Sequence, residues 1–227
     1  MKEKGYVLWR GESRIDGSPI VAIATMKTNN RKTGDMVQTW ILRDDVSPIE
    51  AVNLGLDIAI CGDCPHRWAL RRSGKSEQAA CYVNVGQAPL AIWRAYKRGA
   101  YCDQWSPDVF EGRAIRIGAY GDPVAVPIKV WRSMLIKAIG HTGYTHQWKY
   151  ARAKSYKGLL MASVDSLEES LLALSNGWRF FRIGEKATAN DIKCPSDRIS
   201  CEQCKLCSGV GEDSKRAGVK SIFIPAH

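Results

Sequence analysis

Near its C-terminal end the chain reads Cys194-Pro-Ser-Asp-Arg-Ile-Ser-Cys201-Glu-Gln-Cys204-Lys-Leu-Cys207, four thiols within fourteen residues. Two-residue spacings let a turning backbone aim successive sulfurs at one point, so Cys201, Cys204 and Cys207 read as a joint ligand set with Cys194 as the fourth member. Pro195 stiffens the backbone on one side and Gly209 frees it on the other. Four thiolates satisfy the corners of a [4Fe–4S] cluster. A tetrahedral zinc site accepts the same ligands, although structural zinc more often uses two separate Cys-x2–4-Cys pairs.

Four further cysteines are less compact: Cys61-Gly-Asp-Cys64, Cys81 and Cys102. Gly62 and Pro65 suit a sharp turn around the first pair. One reading gives this group a second metal, with Cys81 as third ligand and Cys102 or His66 as fourth. In the other, some of them join the C-terminal ligands at a shared site and the rest are buried thiols, the common fate of a cysteine such as Cys102 set among Tyr101 and Trp105.

The compartment decides how such thiols are read. The start Met1-Lys-Glu-Lys-Gly-Tyr-Val-Leu-Trp-Arg10 has no apolar run of signal-peptide length, and stretches such as Ile20–Thr25 and Val164–Leu174 are too short or too charged to cross a bilayer. The expected compartment is the cytoplasm, where closely spaced thiols are more often metal ligands than disulfides. The formal charge of +10 allows an electrostatic partnership with nucleic acid. Its lysines and arginines are nevertheless spread along the chain, as on a solvated surface, and thiolate ligands would cancel part of the excess.

The 227 residues suit one domain. Residues 1–46 form an N-terminal β segment, with strands predicted at Tyr6–Trp9, Ile20–Thr25 and Val37–Leu42 in a small antiparallel sheet. Residues 47–185 alternate strands and helices. Ser47-Pro48-Ile-Glu50 opens a short helix, and further helices are predicted over Ala88–Arg98, Val126–Ile139 and Ser166–Ser175. Strands are predicted at Asp57–Ile60, Arg113–Gly118, Thr142–Thr145, Leu159–Val164 and Arg179–Ile183. Residues 186–227 hold the cysteine-rich segment and a last strand at Ser221–Ile224. The alternation predicts an α/β fold with a complete or partial βα barrel resembling a TIM barrel. Function in such folds gathers at the carboxyl ends of the strands, which here carry Cys61, Tyr120 to Asp122, Thr145, His146, Ser163, Asp165 and Arg182.

Other chemistry is thinner. Gly118-Ala-Tyr-Gly-Asp-Pro123 lacks the spacing of the phosphate-binding loops and reads as a turn. His146 could serve as proton donor, metal ligand or phosphate contact, or simply be hydrogen-bonded. Trp93-Arg-Ala-Tyr-Lys-Arg98 and Gln147-Trp-Lys-Tyr-Ala-Arg152 could stack bases, but helical spacing favours core packing of their aromatics. Neither a Ser-His-Asp order nor paired catalytic carboxylates nor His-Glu-x2-His occurs, which argues against a hydrolase.

The strings Leu8-Trp-Arg-Gly, Asn30-Arg-Lys-Thr-Gly-Asp-Met-Val-Gln-Thr-Trp40, Cys61-Gly-Asp-Cys-Pro-His-Arg67, Cys81-Tyr-Val-Asn-Val-Gly-Gln-Ala-Pro89 and Lys220-Ser-Ile-Phe-Ile-Pro-Ala-His227, with the C-terminal cysteine run, carry a resemblance over nearly the whole chain. They resemble the cysteine-rich phage family named after gene product eighty-eight of a mycobacterial phage. That resemblance implies a viral protein in the cytoplasm of an infected cell and brings little established activity with it. Alongside it, the expected role of the iron–sulfur protein is nucleic-acid-related or one of host takeover, with nucleic acid or a host protein as partner. A weaker similarity is to radical S-adenosylmethionine enzymes, which place a three-thiolate cluster near the mouth of a partial barrel. Their Cys-x3-Cys-x2-Cys loop is replaced here by Cys61-x2-Cys64 and a distant Cys81.

Overall fold

The computed structural model describes residues 3–72, 74, 81–211 and 218–225. Ala226 and His227, which close the last of the sequence motifs, lie outside the described residues.

Nine strands form one sheet in the order β1-β2-β3-β4-β5-β6-β7-β9-β8. The antiparallel part is β1 (Gly5–Glu12), β2 (Pro19–Thr25) and β3 (Val37–Arg43). From β3 onward every pairing is parallel: β4 (Ala114–Tyr120), β5 (Gly140–Thr145), β6 (Met161–Val164), β7 (Phe180–Gly184), β9 (Ser221–Pro225) and β8 (Asp191–Lys193). The N-terminal strands therefore extend the larger sheet. Among the described residues no pairing joins β1 to β8, so the sheet is not closed.

Among the described residues the connections hold seven α-helices: α1 (Pro48–Asn53), α2 (Ile58–Cys61), α3 (Trp68–Arg72), α4 (Ala88–Lys97), α5 (Ile128–Leu135), α6 (Leu167–Ser175) and α7 (Cys201–Cys204). Helix α1 starts with the expected capping box, in which the Ser47 hydroxyl accepts from the Glu50 amide and the Glu50 carboxylate accepts from the Ser47 amide. The strand predicted over Asp57–Ile60 is instead helix α2. So short an apolar run has no periodicity to separate the two, and the helix buries Ala59 and Ile60. Helix α5 stops at Leu135, well short of the predicted Ile139, which is exposed. No membrane-length apolar helix occurs among the described residues.

Alternation along the strands divides the side chains between two faces. Ile115, Ile117, Ala162 and Phe180 are buried in the main core, together with Trp131 of α5 and with Tyr156, whose hydroxyl donates to the Val126 carbonyl at 2.6 Å. The register Arg116↔Thr142, Tyr144↔Met161 and Phe181↔Ile222 puts the intervening residues on the other face. There Met161, Ile222 and Cys207 are buried in a second, smaller cluster, with Tyr144, Phe181, Cys194 and Leu206 packed on it. The cysteine-rich segment thus covers the inner face of the parallel sheet.

Backbone hydrogen bonds fasten that cover. Gly143 N–H donates to the Cys207 carbonyl (2.9 Å), Cys194 N–H to Phe223 (2.8 Å), Cys201 N–H to Lys32 (2.9 Å) and Gly209 N–H to Leu159 (3.0 Å). A Cβ on Gly209 would stand 2.2 Å from the Lys157 carbonyl oxygen and 2.6 Å from Gly158 C, both backbone atoms that cannot swing away. Gly209→Ala is therefore expected to cost about 1–3 kcal/mol by overpacking, measured as a lower urea midpoint at unchanged m-value. An unchanged midpoint would show that the segment shifts freely on the sheet.

Candidate metal centre

All four C-terminal cysteines line one pocket, of about 300 Å³ including space open to solvent, together with Thr142 and Ile222 of the sheet. Helix α7 carries Cys201 and Cys204. Its capping box, Ser200 with Gln203, was missed by periodicity because the helix is one turn long, yet Ser-x2-Gln is a legible start signal. Lys205, the one non-glycine residue with positive φ among those described (49°), ends the helix and redirects the chain toward Cys207. The turn at residues 30–35 grips the helix from outside, with the Asp35 amide donating to the Glu202 carboxylate at 2.8 Å.

Burial pushes the Cys207 thiol up to about 12, with Cys194, Cys201 and Cys204 adding to the rise and a hydrogen bond with Tyr144 opposing it. Burial also raises Cys201, where Arg116 acts the other way. Arg116 is partly buried on the inner face. Its Nη2 donates to the Tyr82 hydroxyl at 2.6 Å, and among the described residues no carboxylate pairs with it. Burial works to lower its pKa, but Tyr82, Tyr144, Cys201 and Cys207 outweigh that and raise it. A cation is thus held beside the thiols with no carboxylate to balance it.

The second group also comes together. Cys61 ends α2 rather than a strand, and Gly62 (φ 61°) turns the chain where a Cβ would strike the Gln147 amide at 2.1 Å. Cys64 N–H then donates to the Cys61 carbonyl, and Cys81 N–H to that of His66 at 3.0 Å. Burial raises the Cys61 thiol well above its ordinary value, followed in effect by Asp57, Cys64 and Cys81; burial raises Cys81 as well. Arg67 lies against this group, paired with the buried Asp57 at 3.1 Å. Its buried Nε–H has no hydrogen-bond partner among the described residues. Cys102 belongs to neither group: it bridges Tyr6 beside β1, with its thiol on the Gln104 carbonyl.

The carboxyl ends of the strands converge on the second group. Burial raises Tyr120, with Cys61, Asp57 and Cys81 reinforcing it. His146 Nε2 lies 4.0 Å from Cys64 Sγ and 3.6 Å from an Asp165 oxygen, while His66 Nε2 lies 2.8 Å from the other. Burial works against the imidazolium of His146, but hydrogen bonds with Asp165 and Cys64 outweigh it and raise the pKa to about 10. Hydrogen bonds with His146 and His66 overcome burial at Asp165 and hold its carboxyl well below the usual range.

Two predicted mouth residues serve the scaffold. Asp122 is buried and accepts from the amides of Val124 and His146 (both 2.9 Å) and from the Thr145 hydroxyl (2.8 Å), so it fixes the strand end that presents His146. Arg182 projects from the opposite face, buried in an ion pair with Asp191 of β8. Of the aromatic-rich stretches, Trp148 is buried and Trp93 and Tyr96 are partly buried against the core, with Trp93 N–H on the Arg43 carbonyl and Trp148 N–H on that of Ser163, while Tyr150 is exposed. Comparison with protein-family models, curated proteins and solved structures gave no match.

Proposed function

We propose that this chain is an iron–sulfur protein of phage type, with a [4Fe–4S] cluster on Cys194, Cys201, Cys204 and Cys207 and a second thiolate centre on Cys61, Cys64 and Cys81. In this reading the open sheet is a partial βα barrel, and the second centre occupies its mouth. The observation that carries the proposal is the single pocket lined by all four C-terminal thiols, near a partly buried guanidinium that has no carboxylate partner among the described residues. A cation partly removed from water is favoured by a counter-charge. Thiolates on iron supply one, and neutral thiols do not.

Iron–sulfur fits better than zinc. Among the described residues, the one trio of His, Cys, Asp or Glu with ligand atoms all within 4.8 Å of one another is His66, His146 and Asp165. No three of the four C-terminal sulfurs are that close. One zinc with bonds of ~2.3 Å would draw its thiolates to ~3.8 Å apart, whereas a cubane several atoms across spaces them more widely.

When bound, such a cluster stores or passes single electrons. The chain's contribution is to cover the inner face with the segment from Cys194 to Ser208, which limits water access, and to set the local charge through Arg116. Removing that charge in Arg116→Met is expected to lower the cluster's midpoint potential by on the order of 100 mV, the Coulomb worth of one charge a few ångströms away at a protein's effective dielectric constant. A potentiometric titration reads this directly, and an unchanged potential would place the cluster elsewhere. Loading also depends on pH. Burial raises the empty Cys201 and Cys207 thiols and keeps them protonated at neutral pH, so binding releases protons. With Cys207 held at about 12, affinity for cobalt(II) in chelator competition is expected to rise steadily between about pH 6 and 8; a flat profile would mean that the thiols are not the ligands.

A second reading, a radical S-adenosylmethionine-type enzyme, is favoured by the grouping of only three thiols beside the ends of β4 and β5. Three thiolates leave one iron of a cubane open to another ligand. Iron, acid-labile sulfide and zinc analysis of anaerobically purified protein tests the main proposal, which stoichiometric zinc without sulfide would overturn. Cleavage of added S-adenosylmethionine by the reduced protein tests the second; an intact cofactor would dismiss it.

A further inference from the structure

His66, His146 and Asp165 come from three places in the chain and meet at one point. His146 immediately follows β5 and Asp165 immediately follows β6, adjacent parallel strands in register through Tyr144↔Met161 and Thr145↔Ala162. His66 reaches them from the loop between α2 and α3. Both imidazoles present Nε2 to the same carboxylate, at 2.8 Å for His66 and 3.6 Å for His146, and their rings are 5.8 Å apart edge to face. Two imidazoles and a carboxylate on one side of a point form the facial donor set that first-row divalent ions accept.

The surroundings hold these side chains in place. Asp122 accepts from the His146 amide, Glu169 accepts from the Asp165 amide at 3.0 Å, and the His66 carbonyl accepts from the Cys81 amide. His146 and Asp165 also line a cavity of about 550 Å³ including space open to solvent, whose other walls include Asp63, Lys149, Ser163 and Glu169. An ion held by the trio would face that cavity with coordination positions free for water or an oxygen-bearing substrate.

We propose that His66, His146 and Asp165 bind a divalent first-row transition-metal ion, with its open positions turned toward the cavity. None of the three ligands is a thiol; the site adjoins the proposed second thiolate centre, with His146 Nε2 4.0 Å from Cys64 Sγ, and is distinguished from it by a probe that avoids thiolate. Manganese(II) is the probe, because it prefers nitrogen and oxygen donors to thiolate. In an EPR-monitored titration of the anaerobically purified protein, the free manganese(II) signal is expected to fall until about one equivalent is bound. Affinity should drop by more than about tenfold in Asp165→Asn and in the His66→Gln/His146→Gln double variant. Electron spin-echo spectra of the wild-type complex should show imidazole nitrogen couplings, a readout that does not depend on how the variants fold. No uptake by the wild type, uptake without nitrogen coupling, or equal uptake by folded variants would each overturn the site.

Discussion

Replacing Cys204 and Cys207 together by alanine is expected to remove one of two centres, halving iron and acid-labile sulfide. The melting temperature of the loaded protein should fall by on the order of 10 °C, because metal bound only to the folded state contributes directly to folding. The comparison that isolates this effect uses stripped protein. Without metal, wild type and variant differ only by the loss of two small side chains, one in α7 and one buried against Met161 and Ile222. Their melting temperatures should then be close. If the variant keeps its full iron and sulfide, the C-terminal cysteines are packing groups and the proposed cluster site is wrong.

Arg179→Met is the second large effect, and it acts on the scaffold rather than on the ligands. Arg179 is 2% exposed. Its Nη1 donates to the carbonyls of Leu206 (2.9 Å) and Ser208 (2.6 Å), its Nη2 to Lys220 (3.0 Å) and its Nε to Val219 (3.3 Å). One planar fork therefore ties the chain on both sides of Cys207 to the start of β9. Methionine fills comparable space but leaves these carbonyls without their donor, at an expected cost of about 3–5 kcal/mol. Urea unfolding of the stripped protein measures it. Lysine keeps the charge but cannot fork, so Arg179→Lys should recover only part of the loss. A cost below about 1 kcal/mol would mean that water satisfies the carbonyls instead.

Strands β1 to β7 and β9 were legible as short β-branched or aromatic runs set off by turn residues, and helices α1, α4 and α6 because caps and glycines mark their ends; the three-residue β8, Asp191–Lys193, was too short to carry a signal. Asp57–Ile60 was misread for a physical reason: three apolar residues after an aspartate fit either geometry until the turn at Gly62 is known. Whether the sheet closes could not be read at all, since closure depends on the partners of its edge strands. The convergence of Cys194, Cys201, Cys204 and Cys207 follows from their spacing. The approach of Cys81 to Cys61 and Cys64 does not, because a loop folding back to the His66 carbonyl sets it. His66, His146 and Asp165 each drew notice singly, but only the parallel register of β5 and β6 makes neighbours of the last two. Arg116 carried no signal in the sequence, being one cation among many. Its meaning comes from facing thiols with no carboxylate beside it.

The central claim is that the four C-terminal thiols hold iron and sulfide. Native mass spectrometry of anaerobically purified protein tests it most directly, by weighing what the intact chain carries. The expected result is a mass increment made of iron and sulfide together, with one cluster's share lost in the Cys204→Ala/Cys207→Ala variant. A bare chain, or an increment of zinc alone that the same variant loses, would contradict it.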